Sequence, residues 1–195
     1  MRLDYKNLYR LYAKRHKSAS EISDLFGCSE GKINYWLAKY RIQKRNISEA
    51  VYVRHNPSGD PFVFKKPRSI KEAELFGMGI GLYWGEGTKA SKTTVKLGNT
   101  DPALIKVFIS FLIKTFNIKK KDLRFHLQIF SDVSPKDSIN FWTKKLNIKK
   151  SQLYKPTITK SGKIGTYRQK SKFGVLTVYY FNSKLKKVLI NLLPM

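Results

Sequence analysis

Residues 75–87 read LFGMGIGLYWGEG, and Gly77, Gly81 and Gly85 recur there at four-residue spacing inside an otherwise apolar run. In a helix that spacing stacks the three glycines on one face, while Gly79 falls off their register. Each glycine inside a helix costs up to about 1 kcal/mol relative to alanine, so three on one face need a compensating contact. Close approach of a second helix, nearer than the usual ~8–10 Å between axes, supplies one. The helix is expected to stop at Gly87, directly after the carboxylate of Glu86. A membrane span needs roughly 20 apolar residues, and this run is too short for one.

Charge narrows the partner. Among 195 residues, 39 Lys and Arg stand against 13 Asp and Glu, a net charge of +26. A compact state that repels itself so strongly points to a polyanionic ligand, with nucleic acid first and a membrane surface not expected. The excess is spread along the whole chain, net +9 over residues 1–70 and +17 over 71–195. Cys28 is the sole cysteine, which excludes internal disulfides, and His16, His55 and His126 show no metal-ligand spacing. The first ten residues lack an apolar leader, so the expected location is intracellular: cytoplasm, nucleoid or an organelle matrix.

From the N-terminus, residues 5–17 read as a short amphipathic helix. Ser18 and Glu21 form a capping-box pattern for a second helix, Gly27 suits a left-handed turn, and Ser29 is placed to cap a third helix running to about Tyr40. Ile22, Phe26, Cys28, Ile33 and Trp36 occupy the positions that bury between the two helices. Residues 18–42 resemble the helix-turn-helix of resolvases and small repressors. That resemblance implies that the third helix enters a DNA major groove, presenting Ser29, Glu30, Lys32, Asn34 and Tyr35, with Asn34 suited to adenine and Lys32 and Lys39 to phosphate or guanine. Residues 46–69 have a linker's composition, with a short helix at 47–54. Lys44 and Arg45, just before it, and Arg54 form a basic cluster that could track a DNA backbone.

Beyond the glycine helix, the pattern predicts a strand at 93–97, then a helix from Pro102 to about Phe116, capped by Thr100 or Asp101 and burying Leu104, Val107, Phe108, Phe111 and Leu112. A half-buried strand follows at 122–130, a helix begins at Pro135, strands are expected at 152–159 and 173–181, and a last helix spans 183–193. No internal repeat is evident.

Gly79 to Gly87 resembles the signature helix of the LAGLIDADG homing endonucleases, matching at Gly81, Leu82 and Gly87, with Gly85 for the small residue and Glu86 for the final acid. Trp84 stands where the family has its first Asp, and Gly79 where it has its first Leu. The resemblance covers residues 70–193 and implies an α+β chain. A small all-helical helix-turn-helix domain (1–45) and a basic linker (46–69) would precede a LAGLIDADG-type α/β domain (70–195) with a saddle-shaped antiparallel sheet. A single signature helix implies a homodimer joined through Gly77, Gly81 and Gly85. It further implies that Glu86 and the Gly87 carbonyl hold Mg²⁺ or another divalent cation, and that two copies of Glu86 meet at the dimer centre. Lys155, Gln128, Lys89 and Asn99 are candidates for the basic or polar helper, Lys155 and Gln128 being assigned as catalytic; Asp101 reads as a helix cap. Lys89, Lys96, Arg124 and Arg168 are expected to contact duplex DNA, with Gln128 and Lys155 also lining the sheet. The implied activity is site-specific cleavage of double-stranded DNA. Two alternatives are a transcription regulator that keeps the fold without the reaction and an intron maturase that binds RNA.

Overall fold

The computed structural model describes residues 3–161 and 172–194. The chain divides into two units, Met1–Pro61 and Phe62–Met195, so the 46–69 stretch is shared between them. No helix among the described residues is long and apolar enough to cross a membrane.

In the first unit, α1 (Tyr5–Tyr9) is capped by Asp4 and continues as a π-turn, Arg10–Lys14. Ser18 and Glu21 exchange side-chain and backbone bonds of 3.0 and 2.8 Å, opening α2 (Ala19–Phe26) with a capping box. Gly27 ends α2 at φ 59°, and Ser29 accepts from the Lys32 amide to start α3 (Glu30–Lys39). Leu3, Leu8, Tyr12, Ile22, Ile33, Trp36, Leu37 and Ile42 form the core, with Phe26 and Cys28 only half-buried. Helix α4 (Ile47–His55) is capped by Asn46 and Glu49 but buries nothing, leaving Ile47 and Val51 exposed.

The second unit opens with α5 (Ile70–Glu86), which begins five residues before the expected start. Ser69 accepts from the Glu72 amide, and Glu72 reaches back to the Arg68 amide, so the chain enters the helix well ahead of its glycines. After β1 (Thr94–Asn99), Asp101 caps α6 (Pro102–Phe116) by accepting from the Ala103 amide at 2.7 Å. The fully buried stripe of α6 is Ile105, Phe108, Ile109, Phe111, Leu112, Thr115 and Phe116, while Leu104 and Val107 are half-buried. Then come β2 (Arg124–Phe130), α7 (Pro135–Leu146), β3 (Thr157–Thr159), β4 (Val175–Phe181) and α8 (Ser183–Asn191).

The strands lie in the order β1-β4-β2-β3, and β4 is antiparallel to both of its neighbours. β3 pairs parallel with β2, Gln128 opposite Thr157, so the sheet is mixed where an antiparallel one was expected. The cause is α7: a helical crossover returns the chain to the end of the sheet from which β2 started, and the next strand runs the same way. One face of the sheet, with Val95, Leu97, Phe125, Leu127, Leu176 and Val178, is buried with the helices' Phe108, Phe111, Trp142, Leu185 and Leu189. The alternate residues Lys96, Arg124, His126, Gln128, Thr177, Tyr179 and Phe181 are half-buried or exposed.

A repeat that the linear pattern concealed becomes visible at β2 and β3. FNIKKKDL (116–123) and LNIKKSQL (146–153) each end a helix on an asparagine in the left-handed region, Asn117 at φ 54° and Asn147 at φ 49°. Each then buries an isoleucine, Ile118 or Ile148, makes a 3₁₀ turn, Lys120–Asp122 or Lys150–Gln152, and leads towards a strand. Seen as sequence, eight residues with two or three lysines look like solvated loop; their equivalence lies in backbone conformation.

Candidate functional site

Two faces of α5 divide its glycines. A Cβ on Gly79 would come within 2.1 Å of the Phe111 ring, so it is this off-register glycine that lets α5 approach α6. One turn on, Tyr83 is fully buried and stacks on Phe108 with centroids 5.9 Å apart. Around Gly77, Gly81 and Gly85 a Cβ would meet nothing within 4 Å. Their face also carries Ile70 (79% exposed), Met78 (51%) and Trp84 (52%), with the exposed carboxylate of Glu74 between the first two, and the described residues leave it uncovered.

The helix ends at Glu86, whose side chain is exposed. Next to it, Gly87 accommodates no side chain: a Cβ would lie 2.3 Å from the Tyr83 ring and 2.4 Å from the Tyr83 carbonyl. Gly87 bridges to Leu97 of β1, and the Thr88 amide donates to the Lys96 carbonyl at 3.0 Å, which anchors the turn to the sheet edge. Lys89 donates from Nζ to the carbonyl of Trp84.

Beneath this turn sits a residue that the sequence reading passed over. Lys186 of α8 is 3% exposed, and its Nζ donates to the Tyr83 hydroxyl at 2.5 Å and to the Thr88 carbonyl at 2.6 Å. The Tyr83 hydroxyl in turn donates to the same carbonyl at 3.3 Å. Burial, then the nearby charges of Lys89 and Lys96, holds the Lys186 ammonium below the usual lysine range. Burial pushes the Tyr83 phenol up to about 12. A signal was present: Asn182, Leu185, Lys186, Leu189 and Leu193 share the spacing of one buried helical stripe, and a lysine in such a stripe needs a partner.

Lys89 and Lys96 thus lie beside the Glu86 turn. Gln128 and Lys155 do not. From Gly87 the sheet runs through β1 and β4 to β2, three strand spacings or about 14 Å, and β3's side of the sheet is one spacing further. Gln128 donates to the Thr159 hydroxyl, and Lys155 is exposed before β3. Arg124 donates to the carbonyls of Lys121 and Leu123 at the start of β2. Asn99 accepts from the Asp101 amide at the end of β1, and Arg168 lies outside the described residues.

In the first unit, Lys32 and Asn34 are half-buried, and Tyr35 and Lys39 are exposed, the Lys39 ammonium lying 4.9 Å over the Trp36 ring. The Ser29 hydroxyl serves as the α3 cap. Lys44 is exposed, but Arg45 is committed inward: it stacks 4.1 Å over the Tyr12 ring and donates to the carbonyls of Tyr12 and Lys17 at 3.0 and 2.6 Å.

No group of three or more His, Cys, Asp or Glu side chains able to hold a metal occurs among the described residues. One carboxylate beside backbone carbonyls nevertheless suits Mg²⁺, which binds through one or two protein carboxylates and completes its octahedron with water and phosphate oxygens. No protein-family model matches the chain, and neither a curated protein nor a solved structure matches it.

Proposed function

We propose that this chain is a divalent-metal-dependent, site-specific DNA endonuclease of the LAGLIDADG kind, acting as a homodimer. The observation that carries the reading is the uncovered face of α5, where Gly77, Gly81 and Gly85 leave room for a second helix and the exposed Glu86 carboxylate follows directly. Two copies of that face packed about a two-fold axis would bring two Glu86 side chains together. Opposed carboxylates are unfavourable unless a cation joins them, so Glu86 and the Gly87 carbonyl are the residues that would hold Mg²⁺. Such an ion sharpens water as a nucleophile and stabilises the leaving oxygen of a phosphodiester.

The rest of the chain is suited to the same substrate. The uncovered sheet face, carrying Lys96, Arg124, His126 and Gln128, would lie along duplex DNA, and α3 would add a second contact through its exposed Tyr35 and Lys39. Lys89, Lys96 and Lys186 lie nearer to Glu86 than Gln128 or Lys155 does, so this cluster is the better source of positive charge for the pentacovalent phosphate. Lys186 holds the turn in place, while Lys89 and Lys96 lend their charge from its rim.

Nicking of supercoiled plasmid in Mg²⁺ by the wild type and by Glu86→Gln tests the reading. Cleavage by the wild type and none by the variant is expected, and equal activity in both rejects Glu86 as the metal carboxylate. Tight duplex binding without a cut under any divalent ion would mark a regulator, and preference for structured RNA over duplex would mark a maturase.

A further inference from the structure

The two repeated turns meet. Gln152, in the second, is buried and donates from Nε2 to the carbonyls of Lys120 and Leu123 in the first, at 2.8 and 3.1 Å. Its Oε1 accepts from the Lys149 amide, and Lys120 donates from Nζ to the Leu146 carbonyl at the end of α7. Each turn therefore braces the other, and between them opens a cleft of about 420 Å³, within the ~300–1,000 Å³ range of ligand sites.

Its walls include Lys120, Lys121, Arg124 and Lys149, with Ser151 as a neutral donor, and among the described residues no carboxylate lines it. Asp122, in the first turn, is exposed and outside the wall. Lys121 and Lys149 are exposed and have no ion-pair partner among the described residues. Four like charges gathered on a hydrogen-bonded frame repel one another unless an anion enters. The guanidinium of Arg124 is held at the cleft by its bonds to Lys121 and Leu123, so a planar donor is already oriented there.

We infer that this cleft seats phosphates of a nucleic-acid backbone, one against each repeated turn. Arg124 both lines the cleft and heads the uncovered face of β2, so a strand leaving that face continues into it. The inference rests on the chain's binding nucleic acid, as proposed above, but not on its cutting or pairing. The shared chemistry is a phosphate anion, whose other source is a free polyphosphate.

The test uses the full chain labelled with ¹⁵N. Pyrophosphate is expected to shift amides in 119–124 and 147–153, and an unlabelled 20-base-pair duplex is expected to displace it. In parallel, Lys121→Gln with Lys149→Gln is expected to make the slope of log K for duplex binding against log salt shallower by roughly 2, while Lys106→Gln on α6 leaves it unchanged. Absence of shifts at both turns overturns the site. Shifts that duplex DNA does not reverse, or an unchanged slope in the double variant, assign the cleft to a small polyphosphate and overturn the backbone reading. Failure of the endonuclease reading would show instead as equal nicking by the wild type and Glu86→Gln, with both turn signals intact.

Discussion

Lys186 and Tyr83, 103 positions apart in the chain, meet across 2.5 Å beneath the turn that carries Glu86. Their titrations oppose each other. The folded state holds Lys186 below its ordinary value, so between its folded value and about pH 10.5 the unfolded chain binds more protons and stability rises with pH. Tyr83 moves the other way, from 10 to about 12, so between those values the unfolded phenol ionises while the folded one stays neutral. Stability lost over that window is about 2–3 kcal/mol. Urea titrations at stepped alkaline pH are expected to show the fall in the wild type and a flatter profile in Tyr83→Phe; superimposable profiles would contradict the assignment.

The two glycine faces of α5 predict substitutions of opposite sign. Gly79→Ala drives a methyl into the Phe111 ring and is expected to destabilise the second unit by about 1–3 kcal/mol despite alanine's better helix propensity. Gly81→Ala, in open space, is expected to stabilise the separate chain by up to about 1 kcal/mol. Denaturant midpoints of the two variants check this pair.

Self-association gives the third expectation. Gly81→Leu leaves the chain's own core untouched but fills the face proposed for the second helix. Sedimentation over a range of concentrations is expected to show a dimer for the wild type and a monomer for this variant, each folded by circular dichroism. A wild type that stays monomeric on its target DNA would remove the proposed pairing.

Arg45 is expected to matter for stability more than for DNA. Removing its stack on Tyr12 and its two carbonyl bonds leaves acceptors of the first unit without their partner, and Arg45→Ala is expected to cost about 1.5–3 kcal/mol. Arg45→Lys does not restore it, because an ammonium lacks the planar fork. Thermal unfolding of the two variants provides the measurement.

What could be read from sequence follows the range of the forces involved. Ser18, Gly27, Ser29 and Asp101 act on their own backbone neighbours, and each cap or turn formed where its residue type predicts. The alternation of β2 likewise showed its buried face. Strand direction was not legible, because β3 is three residues long and its partner is chosen by the α7 crossover. Arg45 misled and Lys186 was passed over for one reason: a charged side chain in a basic sequence reads as surface until the distant carbonyls it satisfies are known. Gln128 and Lys155 were grouped with Glu86 by type alone, and the order of strands separates them.

The strand order carries a consequence for synthesis. Of the four described strands β4 is made after the others, yet it lies between β1 and β2. Until residues 175–181 emerge, the nascent second unit has two strands with open edges and an apolar layer of Val95, Leu97, Phe125 and Leu127 awaiting its centre. Translation that halts before that point leaves a product able to pair with other chains, and β4 acts as the clasp that closes the sheet.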